Sequence, residues 1–204
     1  MRVKICGITR VDDALAAVEA GADALGFIFV RSSPRFISNE VARVIIQEIP
    51  PFVTPIGVFV DPTDADVRSN ISATGIRYVQ LHGNETPEFQ MALPVPAYKA
   101  FRVDGGFQVS HLAKYPGPAY MLDTYVAGRG GGTGRSFDWK IAIEAKKSGL
   151  IILSGGITPA NVGEAIREVA PFAIDVNSGV ETAPGIKDRA KIRLLFEKIR
   201  EAER

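Results

Sequence analysis

The sequence has few of the residues that mark several classes of protein. It contains one cysteine and two histidines in 204 residues, which excludes an internal disulfide and disfavours a histidine-based metal site. Its 24 lysines and arginines nearly balance 23 acidic residues, so no strong field attracts nucleic acid or an anionic membrane. The longest apolar runs, such as LGFIFV at 25–30, are far shorter than the roughly 20 residues of a transmembrane helix. We therefore expect a small-molecule ligand, with no nucleic-acid partner, no membrane partner and no metal.

The composition is typical of a globular domain that forms its own hydrophobic core. It is 46% hydrophobic and 23% charged, and a chain of this length buries enough apolar surface to fold unaided. The segment MRVKICGITR at 1–10 lacks the apolar run and cleavage site of a secretory signal. We expect one domain over residues 1–204 and a cytoplasmic location.

Short β-branched runs alternate with longer amphipathic segments, a rhythm typical of βα units around a parallel sheet. The predicted strands are Val3–Cys6, Ala24–Phe29, Pro55–Phe59, Tyr78–Leu81, Ala97–Phe101, Ala119–Leu122, Leu150–Leu153 and Ala173–Val176. The predicted helices are Val11–Ala20, Asn39–Glu48, Asp64–Ala73, Pro87–Ala92, Gly106–Ala113, Trp139–Lys147, Ala160–Val169 and Lys187–Glu203. Eight such units in about 200 residues favour an α/β fold of the (β/α)8 TIM-barrel type, with an open doubly wound sheet as the alternative.

Local residue chemistry predicts where several helices begin and end. We expect N-terminal caps at Thr9, Ser38 and Thr158, and left-handed glycine ends at Gly21 and Gly149. The fifth helix has glycines and a proline at its ends and should be short or irregular. The glycine-rich segment 124–137 has no core periodicity, so we expect one long mobile loop, a common form of active-site lid.

In a (β/α)8 barrel the active site lies at the carboxyl ends of the strands. Polar residues at those predicted ends are therefore the functional candidates. They are Cys6, Arg31 to Arg35, Asp61, His82, Arg102, Asp104, Asp123, Ser154 to Gly156 and Asn177 to Gly179.

Two glycine turns in the last two units predict a phosphate site. LSGGIT at 153–158 leaves a strand through Gly155 and Gly156 and starts a helix whose free N–H groups favour an anion. DVNSGVE at 175–181 places Ser178 and Gly179 after the next strand. Either turn alone is equally well explained as a packing device. Together they favour phosphate, because loops seven and eight bind it in many barrels.

Cys6, Asp123 and Arg35 each allow a structural and a functional interpretation. A lone strand cysteine is usually a small apolar residue, yet Lys4 on the same strand face would lower the pKa of its thiol. Asp123 ends an apolar strand, where a carboxylate needs a partner or a catalytic role. Arg35 suits bidentate pairing with a carboxylate or an ordinary surface ion pair. His82 is either a base or ligand, or a hydrogen-bonded structural group.

Distinctive motifs run nearly end to end along the chain. They include KICGITR at 4–10, GADALGFIF at 21–29, SPRFIS at 33–38, GVFV at 57–60, VQLHG at 79–83, LDT at 122–124, GGTGRSFDW at 131–139, SGGITPANV at 154–162 and DVNSGVE at 175–181. Together these motifs resemble the phosphoribosylanthranilate isomerases of tryptophan biosynthesis. The KICG start and the GGTG-x-x-FDW segment are the most specific of these.

The resemblance implies a cofactor-free Amadori rearrangement of a phosphorylated ribosyl-anthranilate. It implies that Cys6 is the general base and Asp123 the general acid, and that Arg35 holds the anthranilate carboxylate. It further suggests backbone phosphate contacts by Gly155, Gly156, Ser178 and Gly179. We also expect substrate contacts by Lys4, His82 and Asp175. The oligomeric state stays open between a monomer and a homodimer, the latter through exposed loops or the Phe52 region.

Three other functions compete with this interpretation. A ribosyl-imidazole isomerase performs the same rearrangement with two aspartates and would not need Cys6. A metal-dependent pentose-phosphate epimerase would need a histidine and aspartate cluster that the sequence lacks. A non-catalytic phosphate-binding barrel would keep the glycine turns but has no use for both Cys6 and Asp123.

Overall fold

Eight parallel strands close into a barrel in the order in which they occur in the chain. The structure is a computed structural model that describes residues 1–104, 106–123 and 139–204. Each predicted strand is present with its ends within one residue, so the (β/α)8 prediction is confirmed. The strands are β1 (Arg2–Cys6), β2 (Ala24–Ile28), β3 (Thr54–Phe59), β4 (Tyr78–Leu81), β5 (Ala97–Arg102), β6 (Ala119–Asp123), β7 (Leu150–Ser154) and β8 (Ala173–Val176). The predicted loop at 124–137 lies outside the described residues.

In the part of the chain that the structure describes, seven α-helices surround the barrel. They are α1 (Val11–Ala20), α2 (Asn39–Glu48), α3 (Asp64–Thr74), α4 (Pro87–Met91), α5 (Lys140–Ala145), α6 (Val162–Val169) and α7 (Arg189–Ala202). The fifth predicted helix is a short 3-10 helix, Val109–Lys114, which confirms its expected irregularity. Within the described ranges, no helix is both long and apolar enough to span a bilayer.

Successive side chains of each strand point to opposite faces of the sheet, so the core has two layers. Side chains such as Ile5, Phe27 and Leu153 point outward and pack beneath the helices. Residues on the other strand face fill the barrel, including Met121 and Ile152. The barrel is thus a packed core whose inward-facing residues end at the mouth formed by the strand carboxyl ends.

The predicted helix ends are right at two positions and wrong at a third. Ser38 caps α2 with its side chain, and Gly21 ends α1 in the left-handed conformation at φ 116°. The prediction for Thr9 is wrong, since Arg10 occupies the N-cap of α1. The Thr9 hydroxyl instead donates to the carbonyl of Gly185, a contact distant in sequence.

The predictions for Thr158 and Gly149 are also wrong. The backbone N–H of Thr158 donates to Asn161 Oδ1 over 2.8 Å, and this turn delays the start of α6 until after Asn161. Helix α5 ends at Ala145, well before Gly149. Gly149 is required for a different reason, because a Cβ there would lie 2.8 Å from the carbonyl oxygen of Pro118.

A small hairpin precedes the last helix. Two antiparallel strands, β9 (Glu181–Ala183) and β10 (Ile186–Lys187), turn at Gly185, whose φ is +80°. Lys187 therefore lies in a strand and not in the predicted helix over 187–203. Helix α7 starts later because the Asp188 side chain caps its first backbone N–H groups.

Candidate active site

The inward-facing polar residues form three hydrogen-bonded groups at the mouth of the barrel. One group surrounds Cys6 at the end of β1, a second joins Asp123 at the end of β6 to the loop after β4, and a third surrounds Arg35. Strands β6, β7, β8 and β1 are successive neighbours. Cys6 and Asp123 therefore face the same opening from positions three strands apart.

Cys6 is buried above an ion pair inside the barrel. As predicted, Lys4 points inward from the same strand face, and its Nζ donates to Asp175 Oδ1 over 2.7 Å. Both of these side chains are 5% exposed. The hydroxyl of Ser154 donates to the other Asp175 oxygen over 3.2 Å. The floor of the site is thus a charged pair whose carboxylate accepts a hydrogen bond on each oxygen.

Burial has the largest effect on the pKa of the Cys6 thiol. Removal from water raises the pKa of its thiol, and the ammonium of Lys4 lowers it without offsetting that effect. The cation acts in the direction the sequence predicted, but the net shift is upward. Burial also opposes the charge on Lys4, yet Asp175, Cys6 and Tyr98 together outweigh it and raise the pKa of the amine. The resting site therefore holds an ammonium beside a neutral thiol.

Gly26 makes the space that Cys6 occupies. It pairs with Cys6 across β1 and β2, and a Cβ on it would lie 2.7 Å from the sulfur and 3.0 Å from Lys4 Cε. The sequence analysis missed this residue. A glycine within a predicted strand is the signal that could have identified it.

Asp123 is paired with His82. His82 Nε2 lies 3.0 Å from Asp123 Oδ2, and both side chains are about one-fifth exposed, at 21% and 20%. The other ring nitrogen, Nδ1, lies 3.2 Å from Gln80 Nε2. His82 is therefore in the site, in contact with the predicted acid. The sequence analysis did not identify Gln80.

Arg35 is held by a carboxylate that the sequence analysis quoted within a motif but did not assign. Its Nε and Nη2 both bond to Glu181, the shortest distance being 2.6 Å from Nη2 to Oε2. Lys187 Nζ donates to Glu181 Oε1 over 2.9 Å and to Asn177 Oδ1 over 3.0 Å. Glu181 is 4% exposed at its side chain. Arg35 is thus more than a surface ion pair, because it belongs to a buried network.

The carboxylate of Glu181 pairs with two cations, Arg35 and Lys187. Burial opposes ionisation of Glu181, but hydrogen bonds from Arg35 and Lys187 outweigh it and lower the pKa of the carboxyl. Burial lowers the pKa of the Lys187 amine, and Glu181 only partly offsets this. Lys187 and Lys4 both favour the thiolate form of Cys6. Two cations therefore act on the sulfur from different elements.

The two predicted phosphate loops touch each other. Gly155 and Gly156 have φ of 84° and 68°, conformations that favour glycine. Gly179 follows Ser178 in a single 3-10 turn, and a Cβ on it would lie 2.0 Å from the carbonyl oxygen of Ile157. The backbones after β7 and β8 therefore approach as closely as glycine permits.

Four strand-end candidates do not join these groups. Arg31 lies over the ring of Phe36, and Arg102 is exposed. The Asp104 carboxylate accepts from the N–H of Gly106. Asp61 accepts from Asn84 and is a non-glycine residue with a positive φ of 46°. Their roles among the described residues are local.

Comparison with known proteins identifies the family. The sequence profile of N-(5'-phosphoribosyl)anthranilate (PRA) isomerase matches residues 3–198. An N-(5'-phosphoribosyl)anthranilate isomerase of Geobacter sp. (strain M21) is 50% identical over 192 residues, which are 94% of each chain.

Solved structures of the same family share the fold. The phosphoribosyl anthranilate isomerase of Thermus thermophilus has a TM-score of 0.88 at 40% identity, covering 98% of this chain and 99% of that one. A phosphoribosyl anthranilate isomerase solved in complex with reduced 1-(o-carboxyphenylamino)-1-deoxyribulose 5-phosphate has a TM-score of 0.87 at 38% identity, with the same coverage. The chain therefore belongs to the N-(5'-phosphoribosyl)anthranilate isomerase family.

Proposed function

We propose that this chain converts N-(5-phospho-β-D-ribosyl)anthranilate to 1-(2-carboxyphenylamino)-1-deoxy-D-ribulose 5-phosphate, a step of tryptophan biosynthesis, with Cys6 as base and Asp123 as acid. The observation that carries the proposal is the pair of groups on one barrel mouth. A thiol flanked by two ammonium groups ends β1, and a carboxyl bonded to an imidazole ends β6. These are the two proton-transfer groups that the reaction needs.

Asp123 begins the reaction. Its carboxyl proton passes to the ring oxygen of the ribose, the bond between C1 and that oxygen breaks, and the oxygen becomes a hydroxyl. The lone pair of the anthranilate nitrogen forms the C1=N bond, which leaves an iminium cation. Asp123 is left as a carboxylate, within hydrogen-bond distance of His82.

Cys6 completes the rearrangement. Its thiolate removes the proton from C2, and the C2–H electrons form a C1=C2 bond while the iminium electrons return to nitrogen. The resulting enolamine becomes the ketone by losing the hydroxyl proton at C2 and gaining one at C1. Apart from the opening of the ring C–O bond, the steps are proton transfers with the accompanying shifts of electron pairs inside the substrate. No external oxidant or reductant takes part, so the scheme requires no cofactor.

The raised pKa of Cys6 gives these steps an order. In the resting site burial keeps the thiol neutral. Ring opening places a positive iminium beside the sulfur, and an added cation favours loss of the thiol proton to solvent, which leaves the thiolate. Cys6 therefore becomes a base only after Asp123 has opened the ring, which is when the C2 proton has to be removed.

Substrate recognition follows from the two remaining features of the mouth. Glu181 holds the Nε and Nη2 groups of Arg35, which leaves the Nη1 edge of the guanidinium for the anthranilate carboxylate. Backbone N–H groups at Gly155, Gly156, Ser178 and Gly179 suit a phosphate. We propose that the substrate also contacts Lys4, His82 and Asp175.

The test follows the loss of substrate fluorescence on mixing with freshly prepared phosphoribosylanthranilate. We expect wild-type turnover, and a loss on the order of 10²-fold to 10⁴-fold in kcat for Cys6→Ser and for Asp123→Asn. Asp12→Asn, at an exposed position on α1, is the matched control for a lost aspartate charge and should be fully active. A folded Cys6→Ser or Asp123→Asn variant with normal turnover would remove that residue from the scheme.

We also propose that residues 1–204 act as one catalytic domain in the cytoplasm, as a monomer or homodimer. Cys6 must stay reduced to act as a base, and the cytoplasm is a reducing compartment. One relative, 36% identical, is described as the dimeric isomerase of Thermotoga maritima. Phe52, 96% exposed in the segment before β3, is the residue to test. If it mediates a dimer, Phe52→Ser should lower the mass measured by light scattering.

A further inference from the structure

A chain of hydrogen bonds runs through the barrel interior to Asp123. The Tyr98 hydroxyl donates to Gln80 Oε1 over 3.0 Å. Gln80 Nε2 lies 3.2 Å from His82 Nδ1, and His82 Nε2 lies 3.0 Å from Asp123 Oδ2. Tyr98 and Gln80 are 5% and 1% exposed. Three side chains on strands β4, β5 and β6, together with His82 just after β4, thus connect the buried interior to the proposed acid.

Strand geometry explains why these residues meet. Gln80 and His82 are two residues apart and face the same way from β4. Gln80 pairs directly with Tyr98 across β4 and β5, which brings the amide and the hydroxyl together. A primary amide buried without partners is costly, and here both its oxygen and its nitrogen are satisfied. In the orientation present, the amide oxygen faces Tyr98 and the amide nitrogen faces His82.

That orientation determines where the proton of His82 lies. Burial raises the pKa of Tyr98, so its hydroxyl keeps its proton and donates to the amide oxygen of Gln80. The amide nitrogen can only donate, which makes His82 Nδ1 an acceptor. With Nδ1 as the acceptor, the ring N–H is on Nε2 and points at Asp123 Oδ2.

We propose that Gln80, held by Tyr98, is a positioning residue that sets the tautomer of His82 and thereby directs the acidic proton of Asp123 to Oδ1. This inference rests on the proposed role of Asp123. An oxygen that accepts from an N–H disfavours a proton of its own, so the carboxyl is protonated on its other oxygen. In the opposite tautomer, Nε2 would accept the proton of Asp123 and hold it away from the substrate.

The tautomer can be observed without turnover. The chain has only two histidines, and His111 lies exposed in the 3-10 helix, so it serves as the internal reference. Long-range ¹H–¹⁵N correlation spectra of labelled enzyme distinguish Nε2–H from Nδ1–H. We expect Nε2–H at His82 in the wild type and Nδ1–H in Gln80→Glu, because the new carboxylate accepts from Nδ1.

Two tyrosine variants separate this chain from general packing. Tyr98→Phe frees the amide of Gln80 and should give a mixture of His82 tautomers. Tyr120→Phe is the matched control, because its hydroxyl bonds to the carbonyl of Tyr115, and it should leave His82 unchanged. A wild-type His82 with Nδ1–H, or the same tautomer in wild type and Gln80→Glu, would overturn the proposal.

The kinetic arm tests the direction of the proton. We expect Gln80→Glu to lower kcat by about 10-fold to 100-fold with little change in KM, since misdirecting the acid affects chemistry and not binding. A variant with a switched tautomer and wild-type kcat would refute the directing role. If the wild type shows no turnover, the proposed function fails, while the spectra still decide the tautomer.

Discussion

A buried ion pair anchors the loop that carries His82, and breaking it should be costly. Lys99 Nζ lies 3.1 Å from Glu85 Oε2, with side chains 4% and 2% exposed. Lys99 also donates to the carbonyl of Gly83 over 2.6 Å. Glu85 accepts from the backbone N–H groups of Gly83 and Asp61 over 2.9 Å and 2.8 Å. The pair thus fixes the backbone immediately after His82.

The perturbation is Lys99→Met, which keeps the side-chain length and removes the charge. Glu85 would retain its two backbone donors but lose its counter-ion in a site that water does not reach. Removing one partner of a buried pair costs about 3–5 kcal/mol. For a chain of this size each kcal/mol lowers Tm by roughly 2–4 °C. We expect Tm to fall by about 6–20 °C.

The assay is thermal unfolding followed by circular dichroism, with Glu85→Gln and the double variant measured in parallel. The double variant Lys99→Met/Glu85→Gln leaves neither charge unpaired and keeps an acceptor oxygen for the backbone. It should be more stable than the sum of the two single losses predicts. A Lys99→Met variant within about 1 kcal/mol of wild type, or strictly additive losses, would refute the reasoning.

Three further predictions concern the mouth of the barrel. Gly26→Ala should displace the sulfur of Cys6, which lies 2.7 Å from the added Cβ, and so lower kcat on the order of 10²-fold in a protein that still unfolds cooperatively. Gly179→Ala should weaken binding of inorganic phosphate measured by calorimetry, since its Cβ would force the backbone of Ile157 away; Gly75→Ala, whose Cβ contacts nothing within 4 Å, should leave phosphate binding unchanged. Thiolate absorbance at about 240 nm, with Cys6→Ser subtracted, should rise only above the ordinary thiol range near pH 8.5, because burial raises the pKa of Cys6; a rise near neutral pH would contradict that direction.

The barrel could be predicted from the sequence because its signal is local. Short β-branched runs and amphipathic segments alternate eight times, and each strand end lies within one residue of its prediction. The errors arose where a side chain competed with the local pattern. Asn161 captured the N–H of Thr158 and delayed α6. Lys187 continued a helical pattern but is held in a strand, where its Nζ contacts Glu181.

The strand-end rule predicted which residues face the site, but not what each one contacts. Glu181 is 146 residues from Arg35 in the chain, and Asp175 is 171 residues from Lys4. Such contacts depend on barrel closure, which no local pattern specifies. Gln80 was missed for the same reason, since its role follows from its contacts with Tyr98 on β5 and with the ring of His82 after β4.

The protonation of Cys6 shows most clearly what a sequence leaves undetermined. Lys4 predicts a lowered thiol pKa, and its charge does act in that direction. Burial, which depends on the whole barrel mouth, is the larger effect and reverses the net shift. The same burial would make a permanent thiolate costly before substrate arrives. A base that forms only beside the iminium cation resolves this conflict, because the substrate then supplies the charge that the resting site lacks.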